Sequence, residues 1–296
     1  MTRRIIFLLN PIAGRGNKSP VSDIIEQQMA DAAVSFEIQA TLPSGDYQHI
    51  RHKIVSEGVT DVVIAGGDGT INSVVGCLRD TGVNFGLIPC GSGNGLAFCA
   101  GIPKHPVKAI NLILSGTALP TDAFLINDKF SCMLSGLGFD AQVAHDFALQ
   151  GKRGLFTYVR QTYSNFLKAR TYNFDVTINN ASFSTDAFFI SVANSNQFGN
   201  RFTIAPKASL TDGLLDIVIV QKMNKPYMLL AILNQIRKGK VSQSNVRHKG
   251  ILYYQTPELH IRNHDFAPLH IDGDPEITSD AFRIRVLPAA FRLIRP

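Results

Sequence analysis

Polar and apolar positions follow two alternating periods along the first hundred residues. Short runs typical of strands occur at 4–10, 35–41, 61–65 and 85–88. After each of them, apolar residues recur every three or four positions, the period of a helix, at 21–33, 47–57, 71–78 and 96–100. This alternation of strands and helices predicts an α/β domain with a mostly parallel sheet and helices on both faces.

The pattern changes after a further predicted helix at 103–116. Short strand-like runs bounded by polar turns then dominate: 118–127, 129–137, 172–178, 183–193, 214–221, 251–254, 259–262, 269–271 and 281–287. Helical periods interrupt them at 139–149, 155–169 and 225–237. Such a series of strands predicts a β-sandwich-like domain. We therefore expect an α/β domain over 1–120 and a β-rich domain over 121–296, with the last strand a candidate to pack back on the first domain.

Three loops follow strand ends in the first domain, at 10–16, 66–70 and 90–94. In a parallel sheet the carboxyl ends of the strands meet at one edge, where ligands bind. Gly66, Gly67 and Gly69 have no Cβ atom to keep an anion from the backbone, and the following helix offers unpaired N–H groups. Thr70 would cap that helix or hold a phosphate oxygen. The loop at 89–94 repeats the pattern, and together the two loops indicate a nucleotide site.

Acidic residues in glycine turns are the candidates for chemistry. Asp68 lies within the first glycine loop, where a carboxylate would hold Mg²⁺ or take a proton from an attacking hydroxyl. Asp272-Gly273-Asp274 would supply a base or a metal ligand. The acids of the motif at 212–216, Asp212 and Asp216, are candidates for the same two roles. An ordinary acidic turn is the alternative in each case. Lys152-Arg153 would hold phosphates or form a solvated loop.

Composition limits the class of protein. The chain of 296 residues is 45% hydrophobic and 18% charged, which is typical of a soluble globular protein. No apolar run approaches the ~18 residues of a membrane span. The four cysteines form no CxxC or Cys/His pattern, so we expect a reduced, cytosolic chain without structural zinc.

Charge is distributed unevenly along the chain. The net charge is +6, yet residues 1–120 hold nine Lys or Arg and nine Asp or Glu, so the excess lies entirely in the second half. The predicted helix at 226–237 has an apolar body followed by Arg237, Lys238 and Lys240. This arrangement fits docking at an anionic membrane surface or, alternatively, a core helix with a basic end.

Six motifs together resemble the diacylglycerol kinase catalytic-domain family, which includes bacterial soluble lipid kinases, sphingosine kinases and ceramide kinases. They occur in the family's order: Asn10-Pro11-x-x-Gly14, 66–70 with Asn72, Gly91-Ser92-Gly93-Asn94, Gly138-Phe139-Asp140-Ala141, 212–216 and 272–274. Each motif is short, but the set spans nearly the whole chain. The resemblance implies an NAD kinase-like first domain that binds ATP, with Mg²⁺ near Asp68.

The resemblance also implies a set of nucleotide contacts. They are Asn10, Pro11, Gly14, Thr41, Gly66, Gly67, Asp68, Gly69, Thr70, Asn72, Gly91, Ser92, Gly93, Asn94, Lys152 and Arg153. Thr41 matches a residue that contacts ATP. Lys152 and Arg153 stand where sphingosine kinases have phosphate-binding arginines.

On the acceptor side, the family carries its proposed general base on the Glu of an Asp-Gly-Glu motif. Here Asp274, one methylene shorter, holds that position, and Asp68 is the alternative base. Asp122 and Asp140 match acids that face the substrate, and Asp140 resembles the residue that meets the lipid head group in sphingosine kinases.

Bacterial members of the family have a structural Mg²⁺ site at the Asp-Gly-Leu turn. By similarity, this site would use the Asp212 side chain and the carbonyls of Ser209 and Leu214.

The second glycine loop also departs from the usual sequence of the family, and this difference bears on the identity of the acceptor lipid. Diacylglycerol kinases usually read GTGND in the second glycine loop, whereas this chain has Ser92 and, in place of the Asp, Gly95. That sequence resembles sphingosine kinases more closely.

The expected function is an ATP-dependent lipid kinase of the diacylglycerol kinase type. The alternatives are a sphingosine or long-chain-base kinase, then an NAD kinase, which shares the Gly-Gly-Asp-Gly-Thr loop, and then a non-catalytic lipid- or nucleotide-binding protein. The expected partner is a lipid at the membrane surface and not a nucleic acid. We expect a cytoplasmic protein in peripheral contact with the inner membrane face, and a homodimer is compatible with the sequence.

Overall fold

The computed structural model describes residues 3–11, 20–30, 32, 34–149, 169–196, 205–224 and 250–296. The chain divides into two compact units, one made of residues 1–122 with 288–296 and the other of residues 123–287. Two strands, β5 (Thr117–Ile126) and β15 (Ala281–Arg295), each contribute residues to both units.

The first unit is built on a parallel sheet with strand order β2-β1-β3-β4. Its strands are β1 (Arg4–Leu9), β2 (Ser35–Ala40), β3 (Asp61–Gly66) and β4 (Asn84–Pro89). Residues 292–293 of β15 pair in parallel with β4. The helices are α1 (Val21–Ala30), α2 (Gln48–Glu57), α3 (Asp68–Leu78), α4 (Gly95–Cys99) and α5 (Pro106–Ser115). The predicted α/β class and parallel pairing are confirmed.

Burial explains why β3 lies inside this sheet. All six of its residues are buried, which matches its continuous apolar run. Arg3 anchors the start of the strand, because its Nε donates to Asp61 Oδ2 at 2.9 Å while another nitrogen donates to the carbonyl of Ile113 at 2.7 Å. The same side chain therefore joins the sheet to the end of α5.

The second unit is antiparallel in each of its described strand pairs. Its path runs β14-β13-β7-β9-β8-β12-β15, with β10 and β11 paired beside β9. The strands are β6 (Lys129–Ser131), β7 (Leu134–Gly138), β8 (Tyr172–Ile178), β9 (Ala181–Ala193), β10 (Leu215–Gln221), β11 (Ile251–Thr256), β12 (Glu258–Asn263), β13 (Leu269–Ile271) and β14 (Asp274–Glu276). The helix α6 (Phe139–Leu149) follows β7.

Tight turns set the register of two hairpins. Asn179 and Asn180 both have positive φ, 51° and 63°, in the two-residue turn between β8 and β9. Asp272 and Gly273, with φ of 50° and 89°, form the corresponding turn between β13 and β14. Two consecutive positive φ values match the twist of an antiparallel hairpin, which favours Asn, Asp and Gly at these positions.

The structure corrects several predicted elements. The strand predicted at 129–137 is two strands, β6 and β7, because the chain between them turns to donate backbone hydrogen bonds to a buried carboxylate described below. The last strand ends at Arg295 and not at 287, and β14 was not predicted. The predicted helix at 225–237 and, apart from Ala169, the one at 155–169 lie outside the described residues.

Within the described ranges, the structure contains no helix with the length and apolar character of a membrane span.

Candidate functional site

Two glycine loops pack backbone against backbone in the first unit. One follows β3 and the other follows β4, and the Cys90 N–H donates to the carbonyl of Gly66 at 2.9 Å. A Cβ atom added to Gly91 would lie 2.6 Å from the Cα of Gly67, and one added to Gly67 would lie 3.2 Å from the Cα of Gly91. Glycine is therefore required here by the close approach of the two loops.

Asn94 gives the second loop its shape. Its side chain is buried, and its Oδ1 accepts from the Gly91 N–H at 2.8 Å while its Nδ2 donates to the Gly91 carbonyl at 2.7 Å. Its own backbone is left-handed, with φ of 54° and ψ of 43°. Asn tolerates this conformation better than most residues. These contacts are those of a residue that shapes the loop.

Asp68 is the first residue of α3 and links the two loops. Its Oδ2 accepts a hydrogen bond from the Gly95 N–H at 3.1 Å, at the start of α4. The residue is half-buried, and its carboxylate lies at the positive, N-terminal end of the α3 dipole.

Asn10 brings the end of β1 to the start of α3. Its Nδ2 donates to Thr70 Oγ1 at 2.9 Å, and its backbone N–H donates to the Ala65 carbonyl at 2.9 Å. The Thr41 N–H donates to the Leu9 carbonyl, so the end of β2 lies beside the same strand end. Thr70 is not the helix cap predicted as one of its two roles. The capping position is Gly67, which has no side chain.

These features fit a bound nucleotide phosphate. Gly67, at the capping position of α3, has no side chain that could accept a hydrogen bond. In the described structure, therefore, no capping side chain accepts from the first N–H groups of this helix. The neighbouring glycines leave the backbone open to an anion. No cluster of three His, Cys, Asp or Glu side chains occurs in the described ranges. Asp68 is a carboxylate beside the glycine loops whose chemistry would fit Mg²⁺.

The remaining residues predicted to contact the nucleotide differ in their exposure to solvent. Pro11 and Ser92 are exposed, whereas Gly69, Asn72 and Gly93 are half-buried. Gly14, Lys152 and Arg153 lie outside the described residues.

In the second unit, the two acids of Asp272-Gly273-Asp274 have different surroundings. Asp272 is buried, and its Oδ1 accepts from Ser131 Oγ at 2.7 Å and from the backbone N–H groups of Met133 and Leu134 at 3.1 and 2.9 Å. Its Oδ2 accepts from the Cys132 N–H at 3.1 Å. Burial raises the pKa of this carboxyl, and the hydrogen bonds oppose that shift. Asp272 is thus the carboxylate that separates β6 from β7.

Asp274, by contrast, is exposed at the start of β14 and pairs with Ile271 across the hairpin. The buried Asp272 holds the turn, and the exposed Asp274 is the acid accessible to a substrate. The sequence alone did not separate these two roles.

Asp140 and His270 meet over a glycine in the same unit. Asp140 Oδ2 lies 3.5 Å from His270 Nε2, and the histidine side chain is fully buried. A Cβ atom on Gly136 would overlap the Asp140 carboxylate and lie 2.6 Å from His270 Nε2. Sequence reasoning missed His270. The available signal was its position between Leu269 and Ile271, which places it on the opposite face of β13 from these core residues.

The other predicted acids lie elsewhere. Asp122, in the first unit, is buried and accepts from the Ala289 N–H at 2.7 Å. Asp212 is exposed, and its Oδ1 accepts from the Leu214 N–H at 3.1 Å, while Ser209 Oγ accepts from the Thr211 N–H at 3.3 Å.

Asp216, at the other end of that motif, is buried against β11. It accepts a hydrogen bond from the Tyr253 hydroxyl, and burial raises its pKa to about 6.

Comparison with known proteins agrees with this architecture. Residues 4–126 match the model of the diacylglycerol kinase catalytic domain, and residues 134–295 match that of the YegS C-terminal NAD kinase beta sandwich-like domain. Fold and family models together define a two-domain protein of the lipid-kinase class. The chain belongs to the diacylglycerol kinase catalytic-domain family.

Named relatives cover most of the chain. The "Probable lipid kinase YegS-like" of Xanthomonas oryzae pv. oryzae is 29% identical over 277 residues, 89% of this chain and 87% of its own length. The "Diacylglycerol kinase" of Bacillus subtilis is 25% identical over 278 residues, 92% and 90% of the two chains.

The crystal structure of a "putative diacylglycerol kinase from Bacillus anthracis str. Sterne" has the same fold. It matches with a TM-score of 0.82 at 21% identity, covering 99% of this chain and 97% of that one. The expected family and the two-domain fold class are confirmed.

Proposed function

We propose that this protein is an ATP-dependent lipid kinase that transfers the γ-phosphoryl group to the hydroxyl of a diacylglycerol-like lipid. The observation that carries the proposal is the pair of glycine loops in backbone contact at the start of α3, with Asp68 bridging them. The names of the Xanthomonas oryzae and Bacillus subtilis relatives support the kinase class.

ATP would be held by the first turn of α3 and the loop at 90–94. Phosphate oxygens would accept from the N–H groups of Gly69 and Thr70, which no side chain caps. Bound Mg²⁺ would neutralise charge on the phosphates, and Asp68 is the carboxylate that would hold it. Asn10 fixes the Thr70 side chain and so keeps this helix start in place.

The acceptor hydroxyl needs a group that takes its proton. Asp274 is the exposed carboxylate in the motif where the family has its Glu, and it is our first choice of base. Asp68 is the second. A positioned base contributes about 10²–10⁴-fold to rate, so Asp274→Ala should lower kcat by that factor. A loss of only two- to three-fold would leave Asp68 as the base.

A lipid acceptor also requires contact with a membrane. We propose a cytoplasmic protein in peripheral contact with the inner membrane face. Phe266 and Ile277, two of the large apolar side chains that are exposed in the described structure, are 61% and 84% accessible. They lie on neighbouring loops, because Thr278 Oγ1 donates to the Ala267 carbonyl at 2.6 Å. Arg237, Lys238 and Lys240, which fitted either membrane docking or the basic end of a core helix, lie outside the described ranges.

A long-chain base such as sphingosine is the second candidate acceptor. Ser92 and Gly95 favour it by resemblance to sphingosine kinases, and the carboxylate of Asp140, whose side chain is 9% exposed, would attract an ammonium group. NAD is the acceptor to exclude, because the second domain matches an NAD kinase beta sandwich-like model.

The experiment is phosphate transfer from radiolabelled ATP with Mg²⁺ to lipids in mixed micelles. The panel contains diacylglycerol, sphingosine, ceramide, phosphatidylglycerol and, as a non-lipid control, NAD. We expect one labelled lipid with the wild type and with Asp23→Ala, a control at an exposed acid of α1, and none with Asp68→Ala. Full activity of Asp68→Ala would overturn the assignment, and labelled NAD would replace it with NAD kinase.

A further inference from the structure

His270 contacts two functional elements through its two ring nitrogens. The Gly273 N–H donates to Nδ1 at 3.3 Å, within the turn that carries Asp274. Nε2 lies 3.5 Å from Oδ2 of Asp140, near the start of α6. The side chain is fully buried, so its position is set by its neighbours and not by solvent.

These contacts define the tautomer of His270. A nitrogen that accepts a hydrogen bond carries no proton, so Nδ1 is the unprotonated nitrogen. In this tautomer the ring N–H is at Nε2, which faces the Asp140 carboxylate. The ring thus accepts a hydrogen bond from the turn through Nδ1 and faces the Asp140 carboxylate with Nε2.

Gly136 provides the space in the sheet that the contact between His270 and Asp140 requires. His270 pairs with Gly136 across β13 and β7, and Gly136 pairs with Ser191 across β7 and β9. Any side chain at Gly136 would occupy the space of the Asp140 carboxylate. The row His270–Gly136–Ser191 is thus a polar strip on the face of the sheet opposite the apolar core of this unit.

The helix α6 is attached to the same strand at a second point. His145 Nε2 forms a hydrogen bond with the Leu269 carbonyl at 2.9 Å, and Asp140 Oδ1 accepts from the Ala141 N–H at 2.8 Å. The orientation of Asp140 relative to β13 is therefore constrained both at the start of α6 and farther along it.

We infer that His270 is a positioning residue for the phosphoryl acceptor, holding the Asp274 turn through Nδ1 and the Asp140 carboxylate through Nε2. The inference rests on the proposed function, in which Asp274 is the base. Asp274 is one methylene shorter than the family's Glu, so its reach depends more on where its backbone lies. A misplacement of about 1 Å can cost on the order of 10²-fold in rate.

Three substitutions separate the two contacts. His270→Asn keeps an oxygen near the Nδ1 position, so it can still accept from Gly273. His270→Gln keeps a donor near the Nε2 position, so it can still face Asp140. His270→Leu removes both, and His260→Leu, at an exposed histidine of β12, is the matched control.

The first measurement is steady-state kinetics with the labelled lipid. We expect His270→Leu and His270→Gln to lower kcat about 10- to 100-fold, because the Asp274 turn is released. KM for ATP should not change, since the glycine loops belong to the other unit. His270→Asn should keep kcat within about three-fold and raise KM for the lipid, because Asp140 loses its partner.

Amide hydrogen exchange of Gly273 gives a readout that does not depend on activity. Exchange should be faster than in the wild type in His270→Leu and His270→Gln and unchanged in His270→Asn and His260→Leu. Wild-type kcat and exchange in His270→Leu would overturn the inference. Equal losses in all three His270 variants that follow their melting temperatures would also overturn it, because they would show a purely structural role.

The proposed function and this inference fail differently. If the wild type phosphorylates no lipid in the panel, the proposed function fails. The exchange rates alone then decide whether His270 holds the turn.

Discussion

At the scale of single residues, environment gives the same side chain opposite tasks. Asp272 and Asp274 are two positions apart, yet one is buried with five hydrogen bonds from protein donors and the other is exposed. A carboxylate surrounded by backbone N–H groups stabilises the local fold, whereas an exposed one is open to substrate. The carboxylate pattern Asp-Gly-Asp is therefore one structural acid followed by one candidate for chemistry.

The structural role of Asp272 can be tested by removing its acceptors. Asp272→Ala removes the acceptor of the buried N–H groups of Cys132, Met133 and Leu134, and we expect a loss of about 3–5 kcal/mol in unfolding free energy. Asp272→Asn should lower the unfolding free energy by a smaller amount, because the amide oxygen of Asn still accepts hydrogen bonds. Urea unfolding measures both, with Asp280→Ala, at an exposed acid, as the control. A loss below about 1 kcal/mol in Asp272→Ala would contradict this role.

Asn94 supports a second prediction. It combines a left-handed backbone with two hydrogen bonds to Gly91. Asn94→Gly keeps the backbone conformation and loses the bonds, whereas Asn94→Ala loses both. We expect Asn94→Ala to be about 1 kcal/mol less stable than Asn94→Gly, because Ala is strained at positive φ. Equal stabilities of the two variants in thermal unfolding would show that backbone strain plays no part.

At the scale of elements, the site depends on how closely two strand-to-helix loops approach. Gly67 and Gly91 face each other, and the nearer contact is at Gly91. This contact is a property of the packing of β3 and β4, since neither loop sequence specifies its distance from the other. The turn of β13 and β14 is similar, because its shape is local and its partners come from the distant segment 131–134.

The loop contact predicts a graded response to added methyl groups. Gly91→Ala places a Cβ 2.6 Å from Gly67 Cα, and Gly67→Ala places one 3.2 Å from Gly91 Cα. We expect Gly91→Ala to lose about 1–3 kcal/mol of stability and to weaken ATP binding, with a smaller effect in Gly67→Ala. Unfolding curves and ATP titrations check the order. The reverse order would mean that the loops do not meet as described.

At the scale of the whole molecule, the two units carry different parts of the proposed chemistry. The first supplies glycine loops and a helix start, and the second supplies Asp274, Asp140 and His270. The loops that carry the exposed Phe266 and Ile277 also belong to the second unit. The proposal thus places acceptor chemistry and membrane contact in one unit.

Phe266 provides a test of that membrane contact. Its φ of 49° is unfavourable for a bulky residue, which costs of order 1–2 kcal/mol. Phe266→Gly should therefore raise stability and, at the same time, lower binding to phosphatidylglycerol-containing vesicles. Ile277→Ser should lower binding as well, while Val55→Ser, at an exposed apolar residue of α2 in the first unit, should not. Sedimentation with vesicles measures all three, and undiminished binding by the Phe266 and Ile277 variants would remove this surface.

Local sequence was sufficient for most elements and for the glycine loops. Residues 61–78 predicted the buried strand, tight turn and helix that the structure has, because periodicity and glycine content are local properties. The Asn179-Asn180 turn was predictable for the same reason. The order of the motifs along the chain also indicated the family, which the family models confirm.

Contacts between distant segments decided the rest. The break between β6 and β7 depends on Asp272, about 140 positions away, so no window around 129–137 could reveal it. His270 was missed because a histidine between two core residues shows neither its face nor its partners until β13, β7 and α6 are packed. Sequence alone determined which segments form strands, helices and anion-accepting turns, since these follow from periodicity and backbone freedom. Tertiary structure decided which acid is buried, which is exposed and which side chains hold them, because burial and hydrogen bonding are properties of the folded chain.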